Sequence, residues 1–447
     1  MRLLLALSMN GLLFSSALVA CGGASNALIG SGDGGPGSSS DGGADTGTAP
    51  ADSGGPQGDS SLADTGSSEA GTSDTGGAET GAGACVPLGA GVTDVYVDQR
   101  STASTPTGVQ ACPFPTITQG LTAAASLSGT RTVHVAGSTP ALVYMEASSL
   151  AVGANIILSG DGPAKATIQA SGTCGSATCA VTVGGGGVLE GFTVTSSGGD
   201  GIVTSDGMPP AAVHEVIASG SMSNGLLATA NVDLGPAFSA NGNGAAGVES
   251  PQGAGGTVHV IGTTNTFDDN KGNGIDVSGT ATLIFEGGTA NGNGQGIRLA
   301  GATASIAGHT ITSLTATKNT GPGGVVAYNG QTLVLRSSTL TGNTGVGLYY
   351  AYAGSGTLDI GTANGNGGNT FAGATTTNNN GVAGLRLCGV TATSMPAAAG
   401  DAWSACLPAQ TFADCGNAKP ATYSDIDYAP ALASGMPVAV SGCTVGP

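Results

Sequence analysis

The sequence predicts an all-β solenoid, a body in which three short strands and three turns repeat coil upon coil. Three observations point that way. Glycine supplies 82 of the 447 residues, well above the roughly 7% of average usage. Only 9% of the residues are charged, against roughly 25% in ordinary domains. Finally, a glycine followed by an apolar residue recurs from position 201 to position 385 at intervals mostly in the twenties, a period that marks stacked structural units. No three-residue glycine period exists, which excludes collagen. The single Trp, 8 Tyr and 8 Phe, with a mean hydropathy of +0.19, argue against a coiled coil. A net charge of −18 excludes nucleic acid as a partner, because too few cations are present to neutralise phosphates.

In chain order, residues 1–20 come first. They read MRLLLALSMNGLLFSSALVA, one Arg and then an apolar stretch too short to span a bilayer as an ordinary helix. The stretch ends in Leu18-Val19-Ala20-Cys21, followed by Gly22-Gly23. This resembles the lipobox of bacterial lipoproteins. The resemblance implies cleavage before Cys21, lipidation of its sulfur and attachment to a membrane. The next residue is Gly22 rather than Asp, so an inner-membrane retention signal is missing. Display at the outer membrane or cell surface is expected.

Residues 21–84 consist almost entirely of Gly, Ser, Ala, Asp and Thr, with nine carboxylates from Asp33 to Glu79 and no Lys or Arg. Such a segment cannot bury enough apolar surface to offset its ordering entropy, so a self-repelling disordered linker is expected. Its Asp residues lack EF-hand spacing.

The solenoid is expected over 85–390. Its anchors are Gly201-Ile202, Gly225-Leu226, Gly247-Val248, Gly274-Ile275, Gly296-Ile297, Gly324-Val325, Gly347-Leu348 and Gly384-Leu385. Second strands lie between them, among them Val258-His259-Val260, Leu283-Ile284-Phe285, Leu333-Val334-Leu335 and Leu358-Asp359-Ile360. Shorter third strands include Asn265-Thr266-Phe267 and Ser338-Thr339-Leu340. Corners that turn within so few residues need positive φ, which Gly and Asn accept most readily. Runs such as Asn241-Gly242-Asn243-Gly244 and Asn291-Gly292-Asn293-Gly294 suit those corners, and stacked Asn side chains can hydrogen-bond from coil to coil. Successive coils are expected about 4.8 Å apart, the spacing of neighbouring strands.

This pattern resembles the right-handed parallel β-helix repeat family, the pectate-lyase-like superfamily. The opening segment, Asp94-Val95-Tyr96-Val97-Asp98 followed by Cys112-Pro113-Phe114-Pro115-Thr116-Ile117, looks like the start of a β-helix-associated family of unknown function. There the tyrosine strand pairs with the first coil and the Pro-Phe-x-Thr-Ile run leads into a capping helix. The resemblance covers about 90 to 390 and speaks for fold more than activity, since the superfamily holds lyases, hydrolases, adhesins and scaffolds.

Residues 391–447 lose the repeat and gain Pro, Trp403 and Cys, which suggests a terminal cap over the last open coil. Eight cysteines remain besides Cys21: Cys85, Cys112, Cys174, Cys179, Cys388, Cys406, Cys415 and Cys443. An even number in an exported chain reads as disulfides, although eight allow 105 pairings. Cys174 with Cys179 suits a short loop clip, Cys85 with Cys112 would staple the opening segment, and the last four would staple the C-terminal cap. Zinc is disfavoured, because no Cys-x-x-Cys exists and the four His (His134, His214, His259, His309) are scattered.

Strand alternation yields one candidate site. If the residue after each anchor glycine points inward, the next points outward. In coil order those are Val203, Leu227, Glu249, Asp276, Arg298, Val326, Tyr349 and Arg386. Stacked in register, Glu249, Asp276 and Arg298 form an exposed column in which paired carboxylates raise one pKa or attract calcium. Tyr349 is suited to a sugar ring, with Arg386 beyond it. The catalytic motifs of the superfamily are mostly absent. Asp268-Asp269 is present, yet Gly308-His309-Thr310 departs from the Gly-His-Gly of polygalacturonases and no Arg-x-Lys occurs. From residue 85 onward, 19 acidic and 9 basic residues leave a net −10, which repels uronate polymers unless calcium bridges them. The expected function is a surface-anchored binding or structural module, with envelope or extracellular glycans as ligands. A calcium-dependent polysaccharide lyase or glycoside hydrolase is the alternative, and an adhesin or matrix protein the third.

Overall fold

Each predicted anchor opens a strand of one long sheet. The computed structural model describes residues 85–301, 307–351, 356–361, 367–371, 380 and 383–388, with short strands at 402–403, 410–411, 426–429 and 444–445. Ile202, Leu226, Val248, Ile275, Ile297, Val325, Leu348 and Leu385 are register partners on successive strands. All eight are buried, because alternation turns every second side chain of a strand to the same side. This anchor sheet has 13 strands.

The predicted second strands form another sheet, of 11 strands, in which Val232, Val258 and Leu283 stack in the core. The third face comprises a 4-stranded and a 6-stranded sheet, linked by single bridges through Ile217, Ser239, Thr266 and Thr289. Apart from one antiparallel hairpin, the paired strands are parallel. Inside, Phe238, Phe267 and Phe285 follow one another with centroids 6.0 Å apart, so the coil interior is a dry stack of aliphatic and aromatic side chains.

The corner before the anchor sheet carries a buried asparagine ladder. Asn243, Asn270, Asn293, Asn319, Asn343 and Asn380 each take a hydrogen bond at Oδ1 from the backbone N–H of the preceding rung, at 2.9–3.1 Å, Ser221 serving as the rung before Asn243. Their Nδ2 groups donate to backbone carbonyls such as Ala218 and Phe267. The residue before each rung from Ser221 to Asn343 lies in the left-handed region, as expected for Gly242 (φ 65°) and Gly292 (φ 68°), yet Asp269 and Lys318 also take it.

The anchor glycines have a different cause from the one expected. A Cβ on Gly274 would sit 2.6 Å from the carbonyl oxygen of Gly296 and 3.0 Å from Asn293 Nδ2. Close approach of ladder to strand, and not positive φ, excludes a side chain there.

At the N-terminal end the strand Asp94–Val97 pairs with Arg131–Val135, and the helix Ile117–Ser126 covers the first coil. The helix buries Ile117, Gly120, Leu121 and Ala124, one face at helical spacing. Thr116 caps its start, and the Glu146 carboxylate accepts the Ile117 N–H at 2.7 Å, a favourable place for negative charge. Two disulfides join Cys85 to Cys112 and Cys174 to Cys179.

The solenoid does not stop at 390. Ile426–Ala429 pairs with the strand ending at Cys388, and Ala402–Trp403 and Thr444–Val445 extend the third face. The strands described within 391–447 lengthen the ladders. Cys21, the 1–20 leader, the 21–84 linker, Cys406, Cys415 and Cys443 lie outside the described residues.

Candidate functional site

The outward residues of the anchor sheet stack as alternation requires. Leu227 partners Glu249, Glu249 partners Asp276, and Asp276 partners Arg298. The column continues through Val326, Tyr349 and Arg386. One expectation is corrected. This column is half-buried, not exposed: the Asp276 and Arg298 side chains are 15% and 33% exposed, and Val203 and Val326 are buried.

The two carboxylates live in different surroundings. Asp276 is saturated with donors. Arg298 Nη1 lies 2.9 Å from each of its oxygens, Asn273 Nδ2 donates at 2.8 Å and Ser278 Oγ at 3.3 Å. Glu249 receives one hydrogen bond, from Asn224 Nδ2 at 2.7 Å, and that same amide also donates to the buried Asp200. Burial pushes the Glu249 carboxyl above its ordinary range, and the nearby Asp276 and Asp200 add to the effect, while the Asn224 bond and the charge of Arg298 oppose it. Two neighbouring carboxylates thus differ by one counter-ion, Arg298.

The far part of the column is aromatic. Tyr328 lies under the Arg298 guanidinium, 5.9 Å from its centre, and meets Tyr349 at 5.6 Å between ring centroids. Burial raises the Tyr328 pKa, so its hydroxyl stays a donor at neutral pH.

The near end is walled. Residues Gly172–Cys174 and Ala177–Val183 form an antiparallel hairpin clipped by the Cys174–Cys179 disulfide. The two cysteines pack on Val203, with Ala177 and Leu227 against them. Cys179 Sγ lies 3.6 Å from Thr182 Oγ1, and Thr182 is the Val203 partner on the preceding strand. The disulfide therefore sits on the outward face and roofs the column up to Leu227.

Calcium was expected at Glu249 and Asp276, and the donor set fits it poorly. The ion takes 6–8 oxygen ligands, whereas Arg298 already occupies the cation position against Asp276. Among the described residues no group of three or more His, Cys, Asp or Glu side chains is arranged to hold a metal.

Alternation from the anchors alone missed three members of the site. Tyr328 stands two residues after Val326 and so shares its outward face. Asn224 and Asp200 immediately precede the anchor glycines Gly225 and Gly201. The histidines fall elsewhere. His134 is 2.8 Å from Asp94, and His259 lies between Asp233 and Glu286. His309 is a buried core residue whose Nδ1 accepts the Leu283 N–H. Asp268 and Asp269 shape a corner: Asp268 accepts from Asn291 N–H and Thr289, and Asp269 has φ 57°. A surface cavity of ≈ 400 Å³ lies apart from the column, on the ladder corner beside Ser196, Ser221, Met222 and Lys271.

Residues 219–361 and 252–392 match the family described as right handed beta helix region. No curated protein matches the chain. Among solved structures, the A-module of the Azotobacter vinelandii mannuronan C-5 epimerase AlgE4 is similar at 15% identity and a TM-score of 0.49, covering 79% of this chain and 100% of that one. The A-module of AlgE6 from the same organism is similar at 15% identity and a TM-score of 0.35, over 64% and 81% of the two chains. The in-register parallel sheets and the family match over their central coils make the body of this chain a right-handed parallel β-helix.

Proposed function

We propose that this chain is a glycan-binding module carried on the cell surface by a lipid on Cys21. The observation that carries the reading is the half-buried column on the anchor sheet. It joins Glu249, which among the described residues makes no ion-pair contact, to an ion pair and two tyrosine rings. Polar groups set among apolar surface in this way suit sugars, whose hydroxyls need acceptors and whose C–H faces lie well on aromatic rings. The leader and the sequence Leu18-Val19-Ala20-Cys21 support export and anchoring, with the acidic linker as a spacer from an anionic membrane. Contact with a protein partner, as in an adhesin or matrix component, would use other faces and leave these residues silent.

A glycan array followed by titration calorimetry tests the reading. Tyr349→Ala is expected to weaken the best glycan by about tenfold, on the order of 1.4 kcal/mol, and the double change Glu249→Gln, Asp276→Asn to remove binding. Unchanged binding in both variants overturns it.

A second reading is supported by the unequal carboxylates. Glu249, whose pKa burial raises, stands one strand from the Arg-paired Asp276, a pairing of unlike carboxyl groups that suits an acid and base pair for glycoside hydrolysis. Elimination is less well supported, because Arg298, the base it needs, is committed to both Asp276 oxygens. Depolymerisation assays with and without calcium separate these readings. Product release by wild type that is lost in Glu249→Gln favours the enzyme.

A further inference from the structure

We infer that the ligand of this column is an amino-sugar polymer carrying free ammonium groups, with one ammonium seated on Glu249; the inference rests on the glycan-binding reading above. Three features support the choice of a cation.

The first is the local charge. Asp200, Glu249 and Asp276 converge on the same stretch of the anchor sheet, and the cation beside them, Arg298, is bound to Asp276. The site keeps an excess of negative charge, and the body around it is acidic as well, with 19 acidic against 9 basic residues from position 85 onward. That field draws in cations and turns away uronates.

The second is the chemistry of Glu249. Its one hydrogen bond comes from a neutral amide, Asn224, and that amide is shared with Asp200. A half-buried carboxylate in this state is stabilised by any donor that brings positive charge. A metal ion suits it less well than an ammonium. The oxygens of Asp276 and Asp200 already face Arg298 and Asn224, so a metal would find too few free ligands, whereas an ammonium needs only a few acceptors in no fixed geometry.

The third is reach. From Glu249 through Asp276, Arg298 and Val326 to Tyr349 the column climbs four strands, about 19 Å at 4.8 Å per strand. A ligand that touches both Glu249 and the tyrosine pair must therefore be an oligomer lying along the solenoid axis. Leu227 and the Cys174–Cys179 hairpin close the column just beyond Glu249, which leaves the ammonium in a sheltered corner where its attraction to the carboxylate is least screened.

Titration calorimetry of the full chain with four hexasaccharides tests this: fully deacetylated glucosamine, N-acetylglucosamine, glucose and galacturonate oligomers. The glucosamine oligomer is expected to bind at least about tenfold more tightly than the acetylated and neutral ones, and added sodium chloride is expected to narrow the difference without erasing it. Glu249→Gln, nearly isosteric, should abolish the preference, so that glucosamine binds no more tightly than the acetylated and neutral oligomers do to the same variant. Equal binding of the acetylated oligomer, a preference for galacturonate, or a glucosamine preference that survives in Glu249→Gln overturns the ammonium inference and leaves glycan binding standing. If none of the four oligomers binds and the glycan array is also blank, the glycan reading itself falls and this inference with it.

Discussion

Glu249 and Asp276 show how far a single side chain depends on its neighbour one coil away. Both were legible as outward residues, because alternation and a constant anchor fix the face a side chain takes. Which of them would be neutralised was not legible, since that depends on Arg298 reaching Asp276 and stopping short of Glu249. His309 is a sharper case. The sequence shows a strand His and a failed catalytic motif, whereas the structure buries the ring between Leu283 and Leu333 as an acceptor for the Leu283 N–H. Burial lowers its pKa from 6.5 to about 4. The unfolded chain then takes up the proton first, so stability is full above pH 6.5 and declines as pH falls toward 4. The span is worth about 3 kcal/mol. His309→Leu is expected to flatten that acid limb and to lower stability at pH 7 by about 1–3 kcal/mol, the cost of an unpaired N–H. Denaturant melts across this pH range check both effects, and an acid limb as steep as in wild type overturns the account.

At the scale of the element, the asparagine ladder holds the corner. Asn293 satisfies the Asn270 N–H, the Asn270 amide and the Phe267 carbonyl in one buried spot. Asn293→Ala removes all three bonds, leaving the Asn270 amide only its bond to the Ala240 carbonyl, and is expected to cost about 3 kcal/mol. Ser221 is the rung where the ladder ends in a short side chain, and its hydroxyl is buried without a partner. The facing residue is Gly201, as a glycine faces every Asn rung, so the longer amide fits. Ser221→Asn is expected to gain about 1 kcal/mol by adding a rung. Thermal denaturation of the two variants reads both signs. The ladder was visible in the sequence as Asn-Gly runs before each anchor. The reason for the anchor glycines was not, because a clash between one coil and the next is invisible until the coils are stacked.

At the largest scale, the body from residue 85 onward is a stack held by repetition, with a helix over its first coil. The helix Ile117–Ser126 covers the first coil, and the Cys85–Cys112 bond ties residues 27 apart beside it. Replacing both cysteines with Ser is expected to destabilise the fold by about 3–4 kcal/mol through loop entropy and to leave glycan affinity unchanged, since the bond is remote from the anchor column. Chemical denaturation together with calorimetric titration checks that pair of outcomes. At the other end the ladders run on past 390, which composition alone could not foresee: the intervals lengthen and the anchor motif fades, yet backbone pairing needs neither. By itself the sequence determined the fold class, the register of the anchor sheet and the roster of one outward column, because these follow from period and alternation, which are local. Only the tertiary structure decided how deep that column lies, which carboxylate has a counter-ion and what walls its end. Those properties arise between coils twenty or more residues apart, where side-chain length and burial, and not spacing, set the energy.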